Sequence, residues 1–265
     1  MIFTLFALAA AVVFFFSSLA LLNYGRRLGA RHLAKEGASS MAGLNAVEGA
    51  VFALMGLLLA FSLSGALQRF DERRQLVLQE VNAIGTAYDR LAFLEREKGL
   101  KLRAKLKAYV QARIDLYRLP IDLSLSNWSA DYSTEQLDKI LALKAEVWDE
   151  AVAACSSTGA STACSLILTS LGNVFDLARL RSGINERHPP IVIFITLFGL
   201  ALAGSLLAGF GMAAAKKRSW IHIVAFALAL ATTLYIITEI EYPRLGFIRV
   251  DAFDHFLTEA HARMK

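Results

Sequence analysis

The sequence predicts an all-α polytopic membrane protein with a helical soluble lobe inserted between its second and third membrane helices. The chain of 265 residues is 56% hydrophobic and its mean hydropathy is +0.47, which is too apolar for an ordinary soluble domain. A membrane helix needs ~20 mostly apolar residues to cross ~30 Å of hydrocarbon. Four windows meet this requirement: Ile2 to Leu22, Ala46 to Gln68, Ile191 to Ala215 and Ser219 to Thr238.

The remaining sequence is divided by these windows. Residues 1–68 hold the first two membrane helices and their basic connecting loop, 69–190 the soluble lobe, 191–238 the last two membrane helices and 239–265 a tail. The first window is not preceded by a basic residue, and Arg26, Arg27 and Arg31 follow it instead. This pattern favours a retained membrane helix over a cleaved signal peptide.

The second window is predicted to continue into the lobe as one helix. The segment GLLLAFSLSGALQRFDERR, residues 56–74, passes from apolar to charged residues without a helix breaker. No proline lies between Ala46 and Leu94, a stretch of 49 residues. At 1.5 Å per residue such a helix is roughly 73 Å long, more than twice the thickness of the membrane core.

Apolar residues spaced three and four apart predict the helices of the lobe. The predicted stripes are Val77, Val81, Ile84, Tyr88 and Leu91; then Leu102, Leu106, Tyr109, Arg113 and Leu116; then Leu137, Leu141, Trp148 and Val152. Ser133 and Gln136 form a capping box before the third stripe, and a fourth helix is expected from about Ser165 to Gly183. Polar residues on these helices predict an interhelical network of Asn82, Asp89, Asn173, Asp176 and Arg179.

The distribution of charge bears on orientation and partners. The two short loops of the membrane part are basic, with Arg26, Arg27, Arg31 and Lys35 in one and 216–218 in the other. Short basic loops remain in the cytoplasm, so the lobe is expected in the periplasm of a bacterial inner membrane. The lobe carries 17 Lys/Arg and 16 Asp/Glu and therefore gives no signal for a nucleic-acid partner.

Cys155 and Cys164 are the only two cysteines and bracket the flexible stretch SSTGASTA. Two interpretations fit them. In a periplasmic lobe they form a disulfide, which would stabilise the fold by roughly 2 to 3 kcal/mol. Otherwise they are two small buried thiols at helix ends.

The segment GLLLAFSLSGALQRFDERRQL resembles the second helix of bestrophin channels. In those proteins a small residue and Phe, here Ala60 and Phe61, are followed by an Arg eight residues after the Phe, here Arg69, and by an acidic and Arg-rich run. The stretches NAIGTAYDRL at 82–91, NVFDLARLR at 173–181 and YPRLGFIRVD at 242–251 are similar to those of bacterial bestrophin-like membrane proteins. The order of two membrane helices, lobe and two membrane helices also matches.

The resemblance implies a homo-oligomer, a pentamer, in the membrane lipid, with the second helix of each subunit lining an ion pathway. By this likeness Leu57 and Phe61 form an apolar neck, Ser64 a polar exit, and Arg69 and Arg73 a basic vestibule that attracts anions, chloride first. Packing against lipid or other helices is the alternative for the neck residues, and interfacial ion pairs are the alternative for the arginines. Bestrophins keep the lobe in the cytoplasm, so the orientation stays open.

The sequence contains no pattern typical of an enzyme. Its five histidines occur without an HExxH, CxxC or GxSxG motif, so no catalytic residue, metal site or cofactor is predicted. Two functions remain. One is an oligomeric anion channel, and the other is a membrane-anchored helical scaffold or sensor that conducts nothing.

Overall fold

Eight α-helices account for nearly all of the chain that the computed structural model describes, which is residues 2–36, 44–118, 134–156, 162–185, 188–215, 219–243 and 255–264. The α-helices are α1 (Ile2–Glu36), α2 (Leu44–Arg90), α3 (Arg96–Arg118), α4 (Thr134–Ser156), α5 (Thr162–Asn185), α6 (Ile191–Gly211), α7 (Trp220–Glu241) and α8 (His255–Arg263). Short 3-10 turns follow α2 at Leu91–Phe93 and α6 at Met212–Ala214. None of the described residues forms a strand, so the all-α prediction is confirmed.

Five of these helices are long and apolar enough to cross a membrane, whereas the sequence windows predicted four. They are Phe3–Glu36, Ala46–Phe93, Thr162–Ile184, Ile191–Ala214 and Trp220–Glu241. The additional candidate is α5, which has the lowest hydropathy of the five. Its apolar residues Ile167, Leu171 and Val174 belong to the same buried cluster as residues of α3 and α4.

The chain divides into two compact units. One contains Met1–Arg69 and His188–Ile248, and the other contains Phe70–Arg187 and Arg249–Lys265. In the first unit α1 packs on α6 and α7. Its buried cluster is formed by residues of all four helices, namely Phe14, Met55, Leu59, Leu197, Ala201, Leu230, Ala231, Leu234 and Ile237.

Close approach of α1 and α6 depends on two glycines. A Cβ on Gly25 would lie 3.0 Å from the carbonyl carbon of Leu206, and a Cβ on Gly209 would lie 2.8 Å from the carbonyl carbon of Leu22. Both distances are shorter than real Cβ contacts, so the two backbones touch only because these positions lack side chains. Small residues at such positions are the usual means of packing helices in lipid.

The second unit is built on the predicted stripes of α2 and α3. All five predicted residues of α3 are buried, from Leu102 to Leu116, and on α2 Val77, Ile84 and Leu91 are buried. The tail packs in the same unit, since Leu257 and Met264 are buried in this core and Lys107 Nζ donates to the Met264 carbonyl at 2.5 Å.

The predicted stripe of α4 faces outward, which is a correction. Leu137, Leu141, Trp148 and Val152 are all exposed, and the buried face consists of Ile140, Val147, Ala151 and Ala154. The helix is apolar on more than one side, so its periodicity alone did not define the core face. Ion pairs from Glu150 to Lys101 at 2.9 Å and Lys105 at 3.1 Å help fix its rotation against α3. The capping box at Ser133 lies outside the described residues.

Candidate functional site

Helix α2 is a single α-helix of 47 residues, as its lack of proline predicted. Leu57 and Phe61 lie on one side of it and leave 50% and 65% of their surface exposed. Ser64, the predicted polar exit, is exposed on the same side. Met55 and Leu59 face the opposite way and are buried. The structure of one chain therefore leaves the predicted neck residues available for contact with lipid or with other copies, and the neck itself stays a prediction.

Arg69 is held by a carboxylate of α7. Its Nε lies 3.1 and 3.0 Å from the two oxygens of Glu241, and its terminal Nη2 donates to Glu241 Oε2 at 2.6 Å. The Glu241 side chain is only 1% exposed, and the His188 Nδ1 lies 3.3 Å from its other oxygen. A two-pronged pair to a carboxylate withdrawn from water is among the stronger ion pairs in proteins.

The same cluster continues into aromatic residues. The His188 ring is stacked on Tyr242 with ring centroids 4.5 Å apart, and Phe3 packs against the other side of the cluster at 5.5 Å from Tyr242. His188 precedes Pro189 and Pro190, which end the preceding segment and start α6. The cluster thus joins the end of the membrane part of α2 to the beginning of α6 and the end of α7.

Arg73, the second predicted vestibule residue, is buried with 3% of its surface exposed. Twelve residues separate it from Phe61, which turns it by about 120° around an α-helix. It therefore points away from the side that carries Leu57 and Phe61. The vestibule stays a prediction, but Arg69 is engaged by Glu241 and Arg73 is withdrawn from solvent.

The buried polar network of the second unit differs from the predicted one. Asn82, Asp89, Asn173, Asp176 and Arg179 are all exposed, and Arg179 pairs within its own helix with Asp176 at 2.8 Å. The buried network consists of Glu80 on α2, Arg113 on α3 and Arg181 on α5. Glu80 accepts from Arg113 Nη2 at 3.1 Å and from Arg181 Nη1 at 2.8 Å, and all three side chains are at most 5% exposed.

Neighbours complete this triad. Arg113 donates to the Tyr117 hydroxyl and to the Ala178 carbonyl, and the Arg181 guanidinium lies 3.7 Å from the Tyr117 ring centroid. Burial alone would lower the pKa of Arg113, but the charges of Tyr117 and Glu80 outweigh it and hold the pKa above its usual value. Both arginines are therefore cations at every pH of interest. The sequence signal was a cation, Arg113, within an otherwise apolar stripe.

An open cleft lies between α2 and α5 in this unit. Its volume is about 730 Å³. Most lining groups are amides, hydroxyls or small residues, among them Gln79, Asn82, Thr86, Thr169 and Asn173. Arg90, at one end, donates to the Leu166 carbonyl at 3.1 Å. The cleft is thus largely uncharged, and the described residues contain no group of three side chains arranged to bind a metal.

Cys155 and Cys164 are both buried and both free thiols in the structure. Burial and a hydrogen bond from Cys164 raise the pKa of Cys155 to about 11. The two side chains are close enough to interact, so the disulfide stays a prediction that depends on the compartment of the lobe. The residues between them, 157–161, lie outside the described part of the chain.

We expect Cys155 to resist alkylation in the folded protein. With a pKa of about 11, only about 3 in 10,000 copies carry the reactive thiolate at pH 7.5. Mass spectrometry after maleimide treatment should find the residue unmodified until the pH approaches 11 or the protein is unfolded. Rapid labelling at pH 7.5 would contradict the buried thiol. Labelling of unfolded protein that requires a reductant would show that the disulfide forms.

Comparison with known proteins identifies the class. The family model described as "Bestrophin-like domain" matches residues 12–252, and no curated protein matches the sequence. A crystal structure of a variant bacterial bestrophin homolog from Klebsiella pneumoniae gives a TM-score of 0.69 at 13% identity, covering 97% of this chain and 97% of that one. Another variant gives 0.67 at 14% identity, with 93% and 97% covered. A crystal structure described as a membrane protein gives 0.66 at 14%, with 94% and 98% covered.

The apolar helices and the shared fold define a multi-pass helical membrane protein. Because the family model covers most of its length, the chain belongs to the bestrophin-like family, and the resemblance found in the sequence is confirmed. The low identity of the solved structures means that they establish the fold and nothing about individual site residues.

Proposed function

We propose that the protein is a homo-oligomeric ion channel in which the exposed side of α2 lines the pathway. The observation that carries this proposal is the 50% and 65% exposure of Leu57 and Phe61 on a helix that remains unbroken as its exposed side becomes polar. Copies arranged around a common axis would bring these side chains together as apolar rings. Apolar constrictions of this kind gate channels by excluding water.

The proposed membrane arrangement has four spanning helices, α1, α2, α6 and α7, and a helical lobe that contains α5. Two observations support placing α5 in the lobe: its apolar residues share a buried cluster with α3 and α4, and Arg181 pairs with the buried Glu80. A pentamer in a bacterial inner membrane, with the lobe in the periplasm, completes the proposal. Particle symmetry along the membrane normal and labelling of Lys98→Cys and Lys217→Cys in intact cells test subunit number and orientation.

The sign of the conducted ion needs separate treatment. The preference for chloride was predicted from Arg69 and Arg73 as a vestibule. Arg69 is paired with Glu241, and Arg73 is buried. Neither side chain supports an anion preference from these positions, so conduction is proposed here without it.

Phe61→Ala is the direct test of the proposed pathway. We expect purified protein to conduct in planar bilayers and the variant to conduct severalfold more, because removing the ring widens and wets an apolar constriction. Phe16→Ala is the matched control, since Phe16 is 62% exposed on α1 and is not proposed to line the pathway. Equal currents from the two variants, or no current from any of them, would count against conduction along α2 and favour a non-conducting scaffold.

A further inference from the structure

The exposed side of α2 continues beyond the proposed neck as a defined series of residues. Asp71 follows Ser64 by seven residues and Glu72 follows Phe61 by eleven, so each lies within about 20° of that residue around the helix axis. Both carboxylates are exposed. Farther along, Gln75, Gln79, Asn82 and Thr86 are exposed at spacings of three and four. The first charged groups past Phe61 on this side are therefore carboxylates.

The basic residues near this point are directed elsewhere. The Arg69 guanidinium is bound by Glu241, so the two charges cancel. Arg73 is buried on another side of the helix. Arg74 contacts Asp71 at 3.3 Å, but both groups are largely exposed, and an exposed pair of this kind is weak. The exposed side thus has two carboxylates per chain and a single nearby arginine.

We propose that Asp71 and Glu72 determine the charge selectivity of the protein and that they select small inorganic cations. The inference rests on the proposed function, since it requires the exposed side of α2 to face the ion pathway. Copies around an axis would place a ring of carboxylates directly after the apolar neck. Rings of Asp and Glu raise the local concentration of cations and repel anions, which makes a pore cation-selective.

The residues beyond the ring are compatible with cation passage. Gln79, Asn82 and Thr86 line the cleft with Thr169 and Asn173 of α5. Their amide and hydroxyl oxygens can replace water around a partly hydrated cation. The wider part of the path would therefore conduct without adding a strong preference of its own.

Reversal potentials in a tenfold KCl gradient test the inference on the full-length protein in planar bilayers. We expect potassium to be more permeant than chloride in the wild type, and the ratio to fall at least about fivefold in the double variant Asp71→Asn, Glu72→Gln. Glu95→Gln is the control, because Glu95 is exposed but lies beyond the end of α2, and it should leave the ratio unchanged. A wild type that prefers chloride, or an unchanged ratio in the double variant, would overturn the inference.

Binding of Mn²⁺ to the detergent-solubilised protein provides a measurement that does not require current. Electron paramagnetic resonance should detect bound Mn²⁺ in the wild type, with about tenfold weaker binding in the double variant and no change in Glu95→Gln. Unchanged binding in the double variant would overturn the carboxylate ring. Loss of binding without current in any variant would support the ring and reject conduction, so the two proposals fail separately.

Discussion

Replacing Glu80 by Gln is expected to destabilise the second unit by about 3 to 5 kcal/mol, one of the largest effects of a single substitution in this protein. Glu80 is fully buried and is the shared acceptor for Arg113 and Arg181. Its loss would leave two buried guanidinium groups without their carboxylate. The raised pKa of Arg113 prevents that side chain from escaping the cost by losing its proton.

The remaining contacts of the triad do not compensate for this loss. Tyr117 provides a hydroxyl to Arg113 and an aromatic face to Arg181, and the Ala178 carbonyl accepts one hydrogen bond. A neutral hydroxyl, a carbonyl and a ring stabilise a cation far less than a carboxylate at 2.8 to 3.1 Å does. We therefore expect α2, α3 and α5 to lose their common anchor.

Thermal unfolding in one detergent, followed by circular dichroism, measures this effect. Asp89→Asn is the control, because Asp89 lies on the same helix, undergoes the same chemical change and is exposed. It should alter stability by no more than about 0.5 kcal/mol. Similar melting of the two variants would mean that the buried triad does not stabilise the fold as its geometry indicates.

The helices could be predicted from sequence because their signals are local. The absence of proline between Ala46 and Leu94 predicted α2, and the stripe from Leu102 to Leu116 predicted both α3 and its buried side. The partners of charged residues are not local. Arg69 meets Glu241 across 172 residues, and no spacing rule predicts that contact.

The two incorrect assignments have a common physical cause. On α4 both sides are apolar, so the choice between Leu141 and Val147 as the buried residue depended on how α3 packs. For the polar network, amides and acids such as Asn82 and Asp176 were favoured because they interrupt apolar stripes. In the structure they line the open cleft, while Glu80 is buried with its cations. Burial of a charge depends on tertiary partners.

The closest backbone contact in the membrane unit leads to the second large effect, that of Gly209→Ala. The sequence contains several small residues four apart on α6, and only the structure distinguishes those that meet another helix. A Cβ on Gly209 would overlap the backbone of Leu22, which cannot move without shifting α1. At Gly199 a Cβ meets no atom within 4 Å.

We expect Gly209→Ala to lose about 1 to 3 kcal/mol through forced separation of α1 and α6. Gly199→Ala should be neutral or slightly stabilising, because Ala favours the helix over Gly by about 1 kcal/mol. The two variants make the same change on the same helix, so their difference isolates the contact with Leu22. Melting temperatures from size-exclusion chromatography of heated samples measure it. Equal melting would show that α1 and α6 accommodate a methyl group, and the close glycine contact would then not be what fixes their packing.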